Sequence, residues 1–159
     1  MKALLTRFLV IALFLCGLCG CSNEVKQLSR IAVEIIEATP VPDAARGTKA
    51  VLTFRYTNEN NIPLAVAGTA HKIYLNNELA AKIVSEEPIG MPPMKSVTQK
   101  VTVKFEKPEA IQKLLDTATQ QTTAYRIDTK LTVLHGEDRD EITSKNQGSI
   151  DLRALAGAK

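Results

Sequence analysis

The chain has no tryptophan, only 4% aromatic residues and just two histidines, His71 and His135. Its three cysteines, Cys16, Cys19 and Cys21, cluster near the start, and the long stretch after Cys21 contains none. A disulfide framework spreads cysteines across a fold to close loops, which excludes one here. A structural zinc site takes four ligands, often as two separated pairs, and the histidines lie far from the thiols with no matching cysteine pair. Lacking both tryptophan and a late cysteine pair, the chain cannot build the pin of an immunoglobulin sandwich. Glycine-rich phosphate loops are missing too. Whatever folds beyond Cys21 is held by burial of its own apolar faces.

The one long apolar run comes first. Lys2 and Arg7 precede an unbroken stretch from Phe8 to Leu15, small residues follow, and the first acidic residue is Glu24. This is the layout of a secretory signal peptide, too short for a comfortable membrane span. Its end, Leu18-Cys19-Gly20-Cys21, resembles a bacterial lipobox: an aliphatic residue at −3, a small one at −1, then the modifiable cysteine. Leu15 and Leu18 would occupy the small position before Cys16 and Cys19, so cleavage is expected between Gly20 and Cys21, with Cys21 as the acceptor. The resemblance implies a diacylglyceryl thioether on Cys21 and an amide-linked acyl chain, and two or more chains anchor a protein firmly where one does not. Ser22 after the cysteine points to the outer membrane, with the domain facing the periplasm. The expected organisation is a signal peptide at 1–20, the lipidated cysteine and a short tether at 21–27, one domain at 28–152 and a flexible tail at 153–159.

Of 20 Lys and Arg, loss of Lys2 and Arg7 leaves 18 against 17 acidic residues. Scattered lysines near neutrality, on an exported chain, exclude a nucleic-acid binder. What remains after the signal is long enough for one domain with a real core.

Alternation at period two dominates that domain. Val97, Val101, Val103 and Phe105 share one face of "SVTQKVTVKF"; Leu52, Phe54 and Tyr56 share one of "KAVLTFRYTN"; Tyr125, Ile127, Leu131 and Val133 share one of "YRIDTKLTVL". Ile31, Val33 and Ile35 form another set, and "PLAVAG", "HKIYL", "AKIVS" and "GSIDL" are shorter candidates. Asn76 to Glu78 suits a hairpin turn, and "HGEDRDE" (135–141) a polar hairpin tip. Pro88, Pro92 and Pro93 keep "EPIGMPPM" out of a central strand. Ile111, Leu114, Leu115 and Ala118 recur at helical spacing after Pro108 and Glu109, predicting one short amphipathic helix over an open end of the fold. Seven or eight antiparallel strands with wet outer faces predict an all-β, fibronectin/Ig-like sandwich.

Within this pattern "YTNENNIPLAVAG" resembles the late-embryogenesis-abundant type 2 family, also described as the water-stress and hypersensitive-response (WHy) domain. Asn58, Asn60, Ile62, Pro63 and Leu64 match its turn motif, while Glu59 stands where the family has proline. "IYLNNELAA", with Asn77 in place of glycine, "MPPMKSVTQKVTVKF", "YRIDTKLTV" and "GSIDL" match further family segments in order. The likeness spans about Ile31 to Leu152. It implies a β-sandwich without a catalytic centre, associated with dehydration and stress tolerance; its motifs are turn and core residues and carry fold, not a site.

Chemistry has few candidates. His71, at the start of "HKIYL", is expected at a strand edge, and His135 in a solvated turn. Ser85, Ser96, Ser144 and Ser149 lack the context of a nucleophile elbow. Glu137, Asp138, Asp140 and Glu141 could offer oxygens to calcium, but Arg139 interrupts them and the spacing is not that of an EF-hand. No metal, cofactor or enzyme is expected. Met91 and Met94 among prolines form a candidate partner-binding lip, or else cap the end of the sandwich, the reading that weighs more. Two functions fit: a membrane-anchored protectant of unfolded clients in the envelope, or a module recruiting one envelope protein by an edge strand or the methionine lip.

Overall fold

A computed structural model describes residues 31–117, 122–135 and 138–156, the side chains of His135 and Asp138 excepted. Residues 31–58 form a hairpin of β1 (Ile31–Pro40) and β2 (Lys49–Asn58). β3 (Leu64–Leu75), β4 (Glu78–Ser85), the short β5 (Ile89–Met91) and β6 (Ser96–Lys104) follow. Helix α1 (Pro108–Thr117) leads to a long hairpin of β7 (Thr123–His135) and β8 (Asp138–Ile150), and a single turn, α2 (Arg153–Ala156), comes last. The strands make two antiparallel sheets: β1-β2-β6, and β4-β3-β7-β8 with β5 continuing the β4 side of β3. The protein is an all-β sandwich with a short helix.

The inner faces agree with the alternation. Leu52, Phe54 and Tyr56 of β2 meet Ile127, Leu131 and Val133 of β7 in one buried cluster that takes in Ile31, Val33 and Ile35 of β1. A bulge between Ile35 and Glu37 lets β1 aim both Ile35 and Ala38 inward while Ile36 turns out to solvent. Asn76 and Asn77 both take positive φ, the two left-handed positions of a type I′ turn, and close the β3–β4 hairpin.

Three segments depart from the pattern read in the sequence. "PLAVAG" and "HKIYL" are one strand, β3. A bulge between Val66 and Gly68 switches its phase, so Leu64 and Val66 face inward before it and Thr69, His71, Ile73 and Leu75 after it. β8 is a full strand from Asp138, longer than "GSIDL"; it pairs along the whole of β7 although only Ile142 and Ile150 are large and apolar. The stretch from Arg153, expected as a flexible tail, begins as a helical turn. Asp151 Oδ1 accepts the Arg153 N–H at 2.9 Å, and Leu155 is buried in the core.

α1 covers an end of the sandwich, as expected. Ile111 and Leu115 enter the core and Leu114 is half-buried against it; Ala118 lies outside the described residues. Gln112 Nε2 donates to the Arg46 carbonyl at 2.9 Å, and Arg46 pairs with Asp116 at 2.7 Å, fixing the helix to the β1–β2 connection. Gly47, at positive φ, passes beneath it where a Cβ would meet Gln112 Cγ at 2.8 Å.

Gly148 is needed for a different reason. It sits opposite Tyr125, whose ring lies over it; a Cβ there would be 3.0 Å from Cε1, Cζ and the hydroxyl oxygen. That oxygen accepts the Ile35 N–H from the facing sheet at 3.3 Å. Gly148→Ala should therefore displace the ring, break this link and cost about 2 kcal/mol in urea unfolding. Gly148→Ala combined with Tyr125→Leu should cost little more than Tyr125→Leu alone.

Candidate functional site

Among the polar side chains that the fold draws inward, two hydrogen-bonded groups stand out. The first lies between the sheets. The phase switch in β3 turns His71 into the core, at 2% exposure, and not to a strand edge as expected from the sequence. Its ring stacks on Phe54, centroids 4.8 Å apart and planes 10° from parallel. His71 Nε2 lies 3.0 Å from the Tyr56 hydroxyl, and Nδ1 lies 2.9 Å from Thr129 Oγ1. A neutral imidazole satisfies both, donating through one nitrogen and accepting through the other. Tyr56 also reaches Gln99 Oε1 at 3.3 Å, and Gln99 Nε2 donates to Glu87 at the rim.

Burial governs the charge state here. It lowers the His71 pKa to about 4 and pushes the Tyr56 hydroxyl well above the usual tyrosine range, so both are neutral at physiological pH. The group links β2 to β3 and β7 across the core; it is closed to substrate.

The second group is at the end of the sandwich where β1 begins. Asn58 closes β2, and its buried amide is a hub. Nδ2 donates to the carbonyls of Ile62 at 2.9 Å and of Met91 and Pro92 at 3.1 Å. Its Oδ1 accepts from the Asn60 N–H and Nδ2, each at 2.9 Å. The Asn58 N–H donates to the Lys95 carbonyl, and the Met94 N–H to the Asn60 carbonyl. One side chain thus ties the turn at 58–64 to the segment after β5. Of the motif residues, Asn58, Asn60 and Leu64 are buried, Ile62 is half-buried against the core, and Pro63 is exposed.

This end corrects the methionine lip. Met91 is 1% exposed, because β5 pairs Met91 with Leu64 and turns it inward; Met94 is 68% exposed, in a left-handed backbone conformation. The acidic stretch is also placed differently. Asp138 to Glu141 are strand residues, and neighbours in a strand point to opposite faces, so Asp140 and Glu141 diverge. Glu141 pairs with Lys130 across the hairpin at 2.6 Å. Among the described residues no three His, Cys, Asp or Glu side chains gather as a metal site. Glu137, Gly20 and Cys21 lie outside the described residues, as does the His135 side chain. Ser85, Ser96, Ser144 and Ser149 lie on strands; Ser144 shares a row with His71, but Thr129 stands between them and takes the His71 Nδ1 contact, and Ser96 bonds Thr57 at 2.8 Å.

Open depressions mark the outer surface. One, about 820 Å³, runs between α1 and the β3–β4 hairpin over Leu75, Leu79, Ile111 and Leu114. Another, about 340 Å³, lies on the outer face of the larger sheet over Ala70, between Lys72, Lys82, Lys130 and Lys145. No described helix is long and apolar enough to cross a membrane.

A sandwich whose inward polar groups bond to each other and to its own turns belongs with domains defined by their frame. Residues 53–148 match the family model LEA_2, late embryogenesis abundant protein, and the chain belongs to that family. The fold is similar to the solution structure of a protein described as late embryogenesis abundant (LEA): TM-score 0.54 at 16% identity, covering 98% of this chain and 91% of that one. It is also similar to a solution structure from Arabidopsis thaliana, with TM-score 0.50, 14% identity and coverage of 80% and 89%. No curated protein matches the sequence significantly.

The buried histidine makes stability depend on pH. Unfolded histidine titrates near 6.5 and His71 in the fold at about 4, so between these values the unfolded chain holds the extra proton. Its contribution is intact above about pH 6.5 and falls as the pH drops toward 4, by about 3 kcal/mol in all. Urea unfolding at pH 7 and pH 4 should show this loss in the native protein and less of it in His71→Phe; an identical pH dependence in both would refute it.

Proposed function

We propose that this LEA_2 protein is a non-enzymatic lipoprotein of the bacterial envelope, anchored in the outer membrane through Cys21 and protecting envelope proteins during dehydration or related stress. Family membership is the observation that carries the stress role; the lipobox Leu18-Cys19-Gly20-Cys21 supports the anchor. The placement of His71 argues against catalysis, since both ring nitrogens already serve Tyr56 and Thr129 inside the core. A sandwich carrying acyl chains at its N-terminus would hold its surface close to clients on the membrane, where anchoring raises its effective concentration. The exposed Met94 favours a second reading, in which one envelope partner docks at that end.

The chain from Ser22 to Lys159, mixed with two unrelated labile enzymes and dried, should preserve activity and suppress light scattering for both beyond an equal mass of albumin. Protection of neither removes the protectant role and leaves the partner module. Separately, Cys21→Ser should abolish incorporation of labelled acyl chain and release the protein from the membrane fraction; an acylated, membrane-bound Cys21→Ser product sinks the lipobox assignment.

A further inference from the structure

We infer that the end of the sandwich carrying Met94 is its membrane-contacting face, with the Met94 side chain seated in the headgroup layer of the bilayer; this rests on the lipid anchor at Cys21 proposed above.

The chain enters the fold at this end. β1 starts at Ile31, paired with Asn58, and Asn58 is bonded through its own N–H to Lys95, the residue after Met94. Only the segment from Ser22 to Arg30 separates the anchor from Ile31. Even fully extended, that segment is shorter than β3, which is itself a longer run of extended chain. α1 and the β3–β4 turn lie at the other end of β3. The tether therefore makes the Met94 end the proximal one.

That end also presents apolar surface. Among the described residues the exposed large hydrophobics are Ile36, Val84, Met94 and Leu134. Met94 and Leu134 belong to the proximal end, Leu134 pairing with Ala65 beside Leu64, which itself pairs with Met91. Met94 stands at the tip of a loop, 68% exposed, behind the stiff Pro92-Pro93 pair. Its positive φ is a left-handed position that a non-glycine residue adopts at a cost. The bond from Met94 N–H to Asn60 and the Asn58 hub beside it hold the loop in this conformation, with the side chain exposed. A thioether at the interface buries an apolar, flexible chain without losing a hydrogen bond.

Because the acyl anchor already confines the domain to the membrane, a small apolar contact is enough to bias which end faces it.

The absence of tryptophan supplies the test. Met94→Trp and Lys113→Trp, the latter on α1 at the far end, each give a single-tryptophan protein. Both are purified with the lipid anchor and reconstituted into zwitterionic vesicles containing lipids brominated near the headgroup. Flotation with the vesicles and quenching are read together. Tryptophan at 94 should lose about half of its fluorescence or more, and tryptophan at 113 almost none. Flotation with equal, weak quenching at both positions overturns the contact while leaving the anchor, and assigns Met94 to a protein partner. Failure to float overturns the anchor and the contact together. Intact folding of each variant is checked by circular dichroism, and a Lys95→Trp variant replaces Met94→Trp should the latter unfold.

Discussion

Two sheets laid face to face slide unless something crosses between them, and here the crossing bonds come from side chains, not from sulfur. Tyr56 reaches from β2 to His71 on β3, which passes the bond to Thr129 on β7. Tyr125 reaches back from β7 to the Ile35 N–H on β1. Asn58 ties the last residue of β2 to the turn that starts the other sheet and to the end of β5. Each is buried, so each is competing with little water, and leaving one partner unmet costs more than the bond itself contributes. Apolar burial provides the bulk of the stability; these three links specify which sheet faces which, and in what register.

Such links must be neutral and fully satisfied. His71 meets this by giving up its proton affinity, and its stack on Phe54 leaves the ring no room for a ligand. The same logic explains why histidine is tolerated in the core of a chain otherwise poor in aromatics: its two nitrogens bridge three strands, which a phenylalanine of similar volume would not do. A buried polar group of this kind is structural, however suggestive it looks as a site.

Much of this was legible in the sequence because alternation reports one wet face and one dry one, and β2, β6 and β7 keep a constant phase. β3 does not. The bulge at Val66–Gly68 reverses which residues point inward, so one strand reads as two and His71 falls at an apparent edge. β8 was hidden for the opposite reason: as an edge strand covered mainly on one side it carries polar residues on both faces, and pairing with β7, not its own pattern, makes it a strand. The turn motif was readable as residues, from Asn58 to Leu64, but not as a hub, since Met91 and Pro92 lie far along the chain. The sequence left Met91 and Met94 together between a lip and a cap, because two methionines among prolines look alike until pairing with Leu64 turns one of them in.

The ends of the sandwich solve the same problem differently. At the far end α1 and α2 close the core with Ile111, Leu115 and Leu155, and the surface they show to water is mostly polar. At the near end no described helix covers the strands; backbone loops do, and loops leave carbonyls that need donors. Asn58 serves three of those carbonyls from a single amide, one of its two N–H groups being shared between acceptors. Using one side chain this way stiffens the loops that carry Met94, so a left-handed residue with an exposed apolar side chain persists where a looser loop would relax. The asymmetry is one of means: helices close one end with apolar side chains, and at the other, where β1 begins opposite Asn58, hydrogen-bonded loops do the same work.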